Sequence, residues 1–186
     1  MVPVMSLGVP IVLSAGIVFV ASSVIHMVLP YHRNDLRKLP KEDEVMAALR
    51  RFNIPPGDYV VPHAGSPAGM KQPEFVEKMK KGPIVFMTLA PGGPPSMGKS
   101  LLLWFLYSVV VSVFAAYIAG RAVAPGAHYL EVFRFAGCSA FMAYSLALLQ
   151  NSIWYKRNWG MTLKTMFDGL VYGLLTAGTF GWLWPR

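Results

Sequence analysis

Only one cysteine occurs in the 186 residues, so no intrachain disulfide can form and cysteine usage says nothing about redox compartment. Charge is scarce as well. Asp, Glu, Lys and Arg make up 14% of the chain, against roughly a quarter in an ordinary soluble domain. With 54% apolar residues and a mean hydropathy of +0.45, that scarcity argues against a disordered chain, a collagen and a coiled coil. Acidic residues are the scarcer sign: nine Asp and Glu stand against seventeen Lys and Arg, a formal net charge of +8. No internal repeat and no low-complexity tract is present.

What the chain does have is long apolar runs. Crossing the hydrocarbon of a bilayer takes about 20 mostly apolar residues, and four stretches meet that length: about Val9 to Leu29, Leu101 to Ala119, Tyr129 to Leu149 and Met166 to Trp184. The stretch Met1 to Gly8 holds no Lys or Arg, whereas a cleaved signal peptide has a basic beginning and a shorter apolar core, so the first run reads as a retained helix. The basic residues are unevenly spread. Eleven of the seventeen fall between residues 31 and 100, Arg121 alone separates runs two and three, and Lys156, Arg157 and Lys164 separate runs three and four. Lys and Arg near membrane ends favour the cytoplasmic side. Both basic connections then face the cytoplasm and both termini face outward, an alternation that four spans satisfy. Trp104, Trp154, Tyr155 and Trp159 fall at the inner boundary, and Tyr117, Tyr129, Trp182 and Trp184 at the outer one, as aromatic anchors do.

The fold expected is an all-α integral membrane protein of four transmembrane helices, with a small cytoplasmic α/β cap between helices 1 and 2. Residues 1–30 hold the first span, 31–100 the basic cap, and 101–186 the other three spans. In the cap, Pro40 can open a helix whose first turn is acidic (Glu42, Asp43, Glu44) and whose last turn is basic (Arg50, Arg51), matching the helix dipole at both ends. Pro55-Pro56-Gly57 stops it, Tyr59 to Val61 reads as a strand, Pro73 opens a second helix that Gly82 ends, and Ile84 to Ala90 is a strand or an interfacial segment. The basic excess reads first as topology and second as attraction to anionic lipid heads on the cytoplasmic side. It is not a basic patch interleaved with aromatics, so nucleic acid is not the expected partner.

The sharpest motif is Gly93-Pro94-Pro95-Ser96-Met97-Gly98-Lys99-Ser100, which satisfies the phosphate-cradling pattern G-x-x-x-x-G-K-[ST]. Its Pro-Pro resembles the version of this loop found in AAA-type ATPases, which would imply a nucleotide held by backbone N–H groups, Lys99 and Ser100. The resemblance covers eight residues. The helix that follows is a membrane span, and no apolar strand ending in an acidic residue comes after it, so Lys99 reads as snorkelling at a span's inner end. What remains is a lipid-phosphate contact at Gly98, Lys99 and Ser100.

Ionisable residues inside spans are expensive, so they pair, snorkel or line a path. Glu131 and Arg134 lie three apart on one helical face near the outer boundary, and Asp168 lies near the inner end of the fourth run, where His26 of the first could meet it. No H-x-x-x-H, C-x-x-C or G-x-S-x-G spacing occurs, so no metal, cofactor or catalytic residue is expected. Two stripes of small residues recur every four positions: Ser108, Ser112, Ala116 and Gly120 in the second run, and Gly169, Gly173, Ala177 and Gly181 in the fourth. That spacing lets helix backbones approach closely, either between spans two and four or across a dimer.

The functional expectation is a non-catalytic inner-membrane subunit that assembles with itself or with other membrane subunits through those faces. The alternatives are a small oligomeric transporter or channel that uses Glu131, Arg134 and Asp168, and a membrane enzyme acting on lipid headgroups through His63, Asp58 and basic cap residues. Topology is testable at once. Periplasmically active reporters such as alkaline phosphatase, fused to either terminus, are expected to be active, and a cytoplasmic C-terminus refutes the orientation.

Overall fold

A computed structural model describes all residues, 1–186. The chain is mostly helical with a small two-stranded sheet. It divides into two compact units, Met1–Leu36 with Ser96–Arg186, and Arg37–Pro95. Residues 31–36 and 96–100, which the sequence reading assigned to the cap, belong to the helical unit.

The smaller unit contains α2 (Glu42–Phe52), β1 (Gly57–Val61), α3 (Pro73–Lys81) and β2 (Val85–Leu89). The strands pair antiparallel, Tyr59 opposite Met87. Helix α2 begins at Glu42 rather than Pro40, because Lys41 sits in the left-handed region at φ 55° and breaks the helical path. Neither helix has a buried residue, and their ion pairs (Lys38–Glu42, Glu74–Lys78, Glu77–Lys81) are exposed.

The larger unit is a bundle of α1 (Gly8–Ser23), α4 (Met97–Ala122), α5 (Tyr129–Ser145) and α7 (Trp159–Trp182), with a short α6 (Leu149–Ile153). Helix α1 is preceded by a 3₁₀ turn, Val4–Leu7, and extended by a π turn, Val24–Val28. Side chains cap three of the starts: Ser96 accepts from the Lys99 N–H at 3.4 Å, His128 from the Leu130 N–H at 3.2 Å and Asn158 from the Gly160 N–H at 2.8 Å. Each satisfies one donor that a helix leaves unpaired at its N-terminus.

Three helical segments are long and apolar enough to cross a membrane: Val4–Val28, Met97–Ala122 and Tyr129–Ile153. Helix α7 has 24 residues, so its length suffices. It falls short of the other three in apolarity because it carries Lys164, Asp168 and a series of glycines and threonines. Those polar and small residues are directed inward: Thr162, Asp168, Gly169, Gly173, Thr176 and Ala177 are buried.

Adjacent helices around the bundle are α1–α4, α4–α5, α5–α7 and α7–α1, which puts spans two and four (α4 and α7) across a diagonal. The expected tight contact between them is therefore corrected. The α7 stripe packs on α5: a Cβ at Gly169 would lie 2.1 Å from the Ser145 hydroxyl, and one at Gly173 would lie 3.2 Å from the Phe141 backbone nitrogen. The α4 stripe packs on α1, where Ser14 donates to Ser112 at 3.0 Å, and on the N-terminal segment, where Val2 N–H donates to the Gly120 carbonyl at 2.8 Å. Both stripes are thus consumed within one chain. Around them Leu7, Ala116, Val132 and Phe180 form one buried cluster, and Val18, Val111, Ala140, Tyr144 and Tyr172 form another.

Gly173→Leu is expected to destabilise the bundle by about 2–3 kcal/mol, since an overfilled contact forces backbone shifts. Gly16→Leu, at a position with open space around the built Cβ, is expected to leave the thermal midpoint in detergent near wild type.

Candidate functional site

The site grows from the face of α7 that carries Lys164 and Asp168, one turn apart. The chain leaving α1 cannot continue as helix past Leu29, where Pro30 follows. A 3₁₀ turn, Pro30–His32, carries it back against α7. Lys164 holds that turn at two points, donating to the Tyr31 carbonyl at 3.0 Å and to Asp35 Oδ1 at 2.8 Å, with its ammonium also 5.2 Å from the Tyr31 ring centroid. His32 is thereby placed between two carboxylates. Its Nδ1 lies 2.5 Å from Asp35 Oδ2, and its Nε2 lies 2.9 Å from Asp168 Oδ2.

His26, in the π turn that ends the first span, stacks on His32 with ring centroids 4.5 Å apart and planes 5° from parallel. Its Nδ1 lies 3.0 Å from the Ser22 carbonyl. His26, His32 and Asp168 each offer a ligand atom, and these atoms lie within 4.8 Å of one another. Asp168 is 1% exposed, so its carboxylate depends on these neighbours for compensation. Asp35 is held below the ordinary carboxylate range, first by its hydrogen bond from Lys164 and then by that from His32.

Asp168 and His26 also line a cavity of about 700 Å³ between α1, α4, α5 and α7. Four aromatic side chains, Trp104, Tyr107, Tyr144 and Tyr172, form part of its wall. Trp104 and Tyr107 have centroids 5.5 Å apart, Trp104 and Tyr172 6.0 Å, and Tyr144 and Tyr172 5.5 Å. The tilted and edge-on contacts are those that aromatic rings prefer. Trp104 donates to the Ser22 hydroxyl at 2.7 Å and Tyr107 to the Ala143 carbonyl at 2.8 Å. Tyr172, 3% exposed, has no partner for its hydroxyl. The Tyr144 hydroxyl has none either.

Of the residues singled out from sequence, the fold brings His26 and Asp168 together. Glu131 and Arg134 are exposed on α5, and no ion pair joins them. Tyr144 packs against Gly169, next to Asp168, and from Tyr144 back to Glu131 is about 20 Å along α5 at 1.5 Å per residue. Gly98, Lys99 and Ser100 are exposed in the first turn of α4, and Ser100 lies at the cavity wall. Asp58 is engaged across the small sheet by Thr88, at 2.5 Å, and His63 Nδ1 accepts from the Gly65 N–H. His32, Asp35 and Lys164 were absent from the sequence-derived site. The available signal was the Pro30 break beside His32, which returns the chain to the end of the bundle.

Comparison with protein-family models, with curated proteins and with solved structures gives no match.

Removing an unpartnered buried hydroxyl costs no hydrogen bond. Tyr172→Phe is therefore expected to leave the stability unchanged or raise it by up to about 1 kcal/mol, read from the thermal midpoint. A clear fall would show that the hydroxyl is partnered in solution.

Proposed function

We propose that the chain is a multi-pass inner-membrane protein that binds a small amphiphilic molecule in the cavity between its helices, with transport as the activity class. The observation that carries this reading is the cavity itself: about 700 Å³, inside the range of small-molecule sites, mostly apolar, with a few polar groups converging at one end. The aromatic rings of Trp104, Tyr107 and Tyr144 suit an apolar body. His26, Asp168 and the free Tyr172 hydroxyl suit a single polar head. A buried carboxylate beside a cavity between helices is the usual mark of a substrate path in membrane proteins.

In this reading α7 is a fourth span, both termini are outside, and the 37–95 unit is cytoplasmic. Glu131 and Arg134 take no part in the path, being exposed on the far part of α5. Assembly into a larger complex loses the small-residue faces as its support, because the chain uses them internally.

The test is photolabelling in nanodiscs with a diazirine-bearing alkylamine, mapped by mass spectrometry. Label is expected on cavity residues, above all Trp104, Tyr107 and Leu148. Leu148→Trp, which fills the cavity, is expected to cut cavity labelling at least about tenfold, as displacement of a ligand from a close-packed pocket requires. Leu170→Trp, on an exposed face of α7, is expected to leave it unchanged. Label spread evenly over lipid-facing residues would overturn the proposal.

A further inference from the structure

The geometry points to a binding site for a divalent transition-metal ion of the Zn²⁺ class at the polar end of the cavity, ligated by His26, His32 and Asp168. Their ligand atoms lie within 4.8 Å of one another. Around Zn²⁺, bonds of 2.0–2.2 Å put ligand atoms about 3.3 Å apart in a tetrahedron, and the His32–Asp168 pair, at 2.9 Å, is already inside that spacing. Closing the remainder takes a rotation of the two stacked rings about their soft outer torsions.

Proximity alone would be weak support. The hydrogen bonds that hold the two rings from behind are more specific. Metal-bound histidines almost always donate their other ring N–H to a carboxylate or a backbone carbonyl, which fixes the tautomer and leaves the opposite nitrogen free for the metal. Both histidines here have that arrangement. His32 Nδ1 faces Asp35, and His26 Nδ1 faces the Ser22 carbonyl. His32 Nε2 lies 2.9 Å from Asp168 Oδ2, so a proton on that nitrogen bridges the pair, and a metal ion competes with that proton for the same two atoms. Asp35 is itself held by Lys164, so the outer shell is two residues deep.

Two imidazoles and one carboxylate select a first-row transition ion over Mg²⁺ or Ca²⁺, which prefer oxygen ligands. Three protein ligands leave a fourth position open. It lies on the cavity side, where Asp168 and His26 form the wall. Exposed His26 gives the ion a way in. The site does not depend on the amphiphile.

The test uses tag-free full-length protein in nanodiscs, with Zn²⁺ binding measured by competition against a chromophoric chelator and Co²⁺ binding by its visible absorption. One ion per chain is expected, with the strong visible bands of four-coordinate Co²⁺. His26→Gln is expected to weaken binding at least about tenfold and Asp168→Asn to abolish it. Asp35→Asn is expected to cost about 10–100-fold, the usual effect of losing the carboxylate that orients a ligating histidine. His63→Gln and His128→Gln, outside the ligand set, are expected to change nothing. His26 is exposed, so its variant should fold even where Asp168→Asn does not, and circular dichroism checks each. No binding by wild type, equal binding of Mg²⁺, or full binding by folded His26→Gln overturns the inference. Leu148→Trp should keep metal binding while losing photolabel, so failure here and failure of the amphiphile reading are separable.

Discussion

A carboxylate at Asp168, 1% exposed and the one charged group on the buried face of α7, sets the terms for the rest of the bundle. A buried charge has to be given a donor or a counter-charge, and no other helix supplies one. The partner comes from outside the helices, in the short turn after α1. His32 reaches Asp168, Asp35 reaches His32, and Lys164, on the same face of α7 as Asp168, closes the chain by holding Asp35. One interaction therefore ties the first helix to the last and fixes the end of the bundle where the cavity opens.

Close packing and polar placement are two sides of the same arrangement. The glycines of α7 let α5 approach until a Cβ would clash, as at Gly169 against Ser145. That approach spends the α7 face on α5 and leaves the diagonal between α4 and α7 open. The diagonal is where Trp104 and Tyr172 meet ring to ring, 6.0 Å apart, rather than backbone to backbone. Large rings across a gap leave space that small residues would have closed, and the cavity is that space.

The two readings of the polar end rest on different observations. The cavity supports an amphiphile through its volume and the aromatic rings in its wall. The metal site rests on the hydrogen bonds that hold both histidines by Nδ1. A metal with an open position on the cavity side would also give the head of a bound molecule an atom to contact, which is where the two would meet.

Much of the architecture was legible in the amino-acid order because it depends on local quantities. Run length and hydropathy mark three of the four long helices directly. The basic loops fix an expected topology, and Pro73 and Gly82 bound α3 within a residue. The pairing of small-residue stripes was not legible. A stripe states that a helix face will be approached closely and does not name the neighbour, and the order α1–α4–α5–α7 around the bundle decided that α5 takes the α7 stripe. The site follows the same division. Asp168 and His26 stand out as polar residues in apolar runs, which needs no fold to see. His32, Asp35 and Lys164 look like ordinary loop and boundary residues, because a chain of hydrogen bonds between positions more than a hundred residues apart has no sequence period. Local chemistry determined which residues had to be buried or exposed, and only the tertiary path of the Pro30 turn back onto α7 decided which of them met.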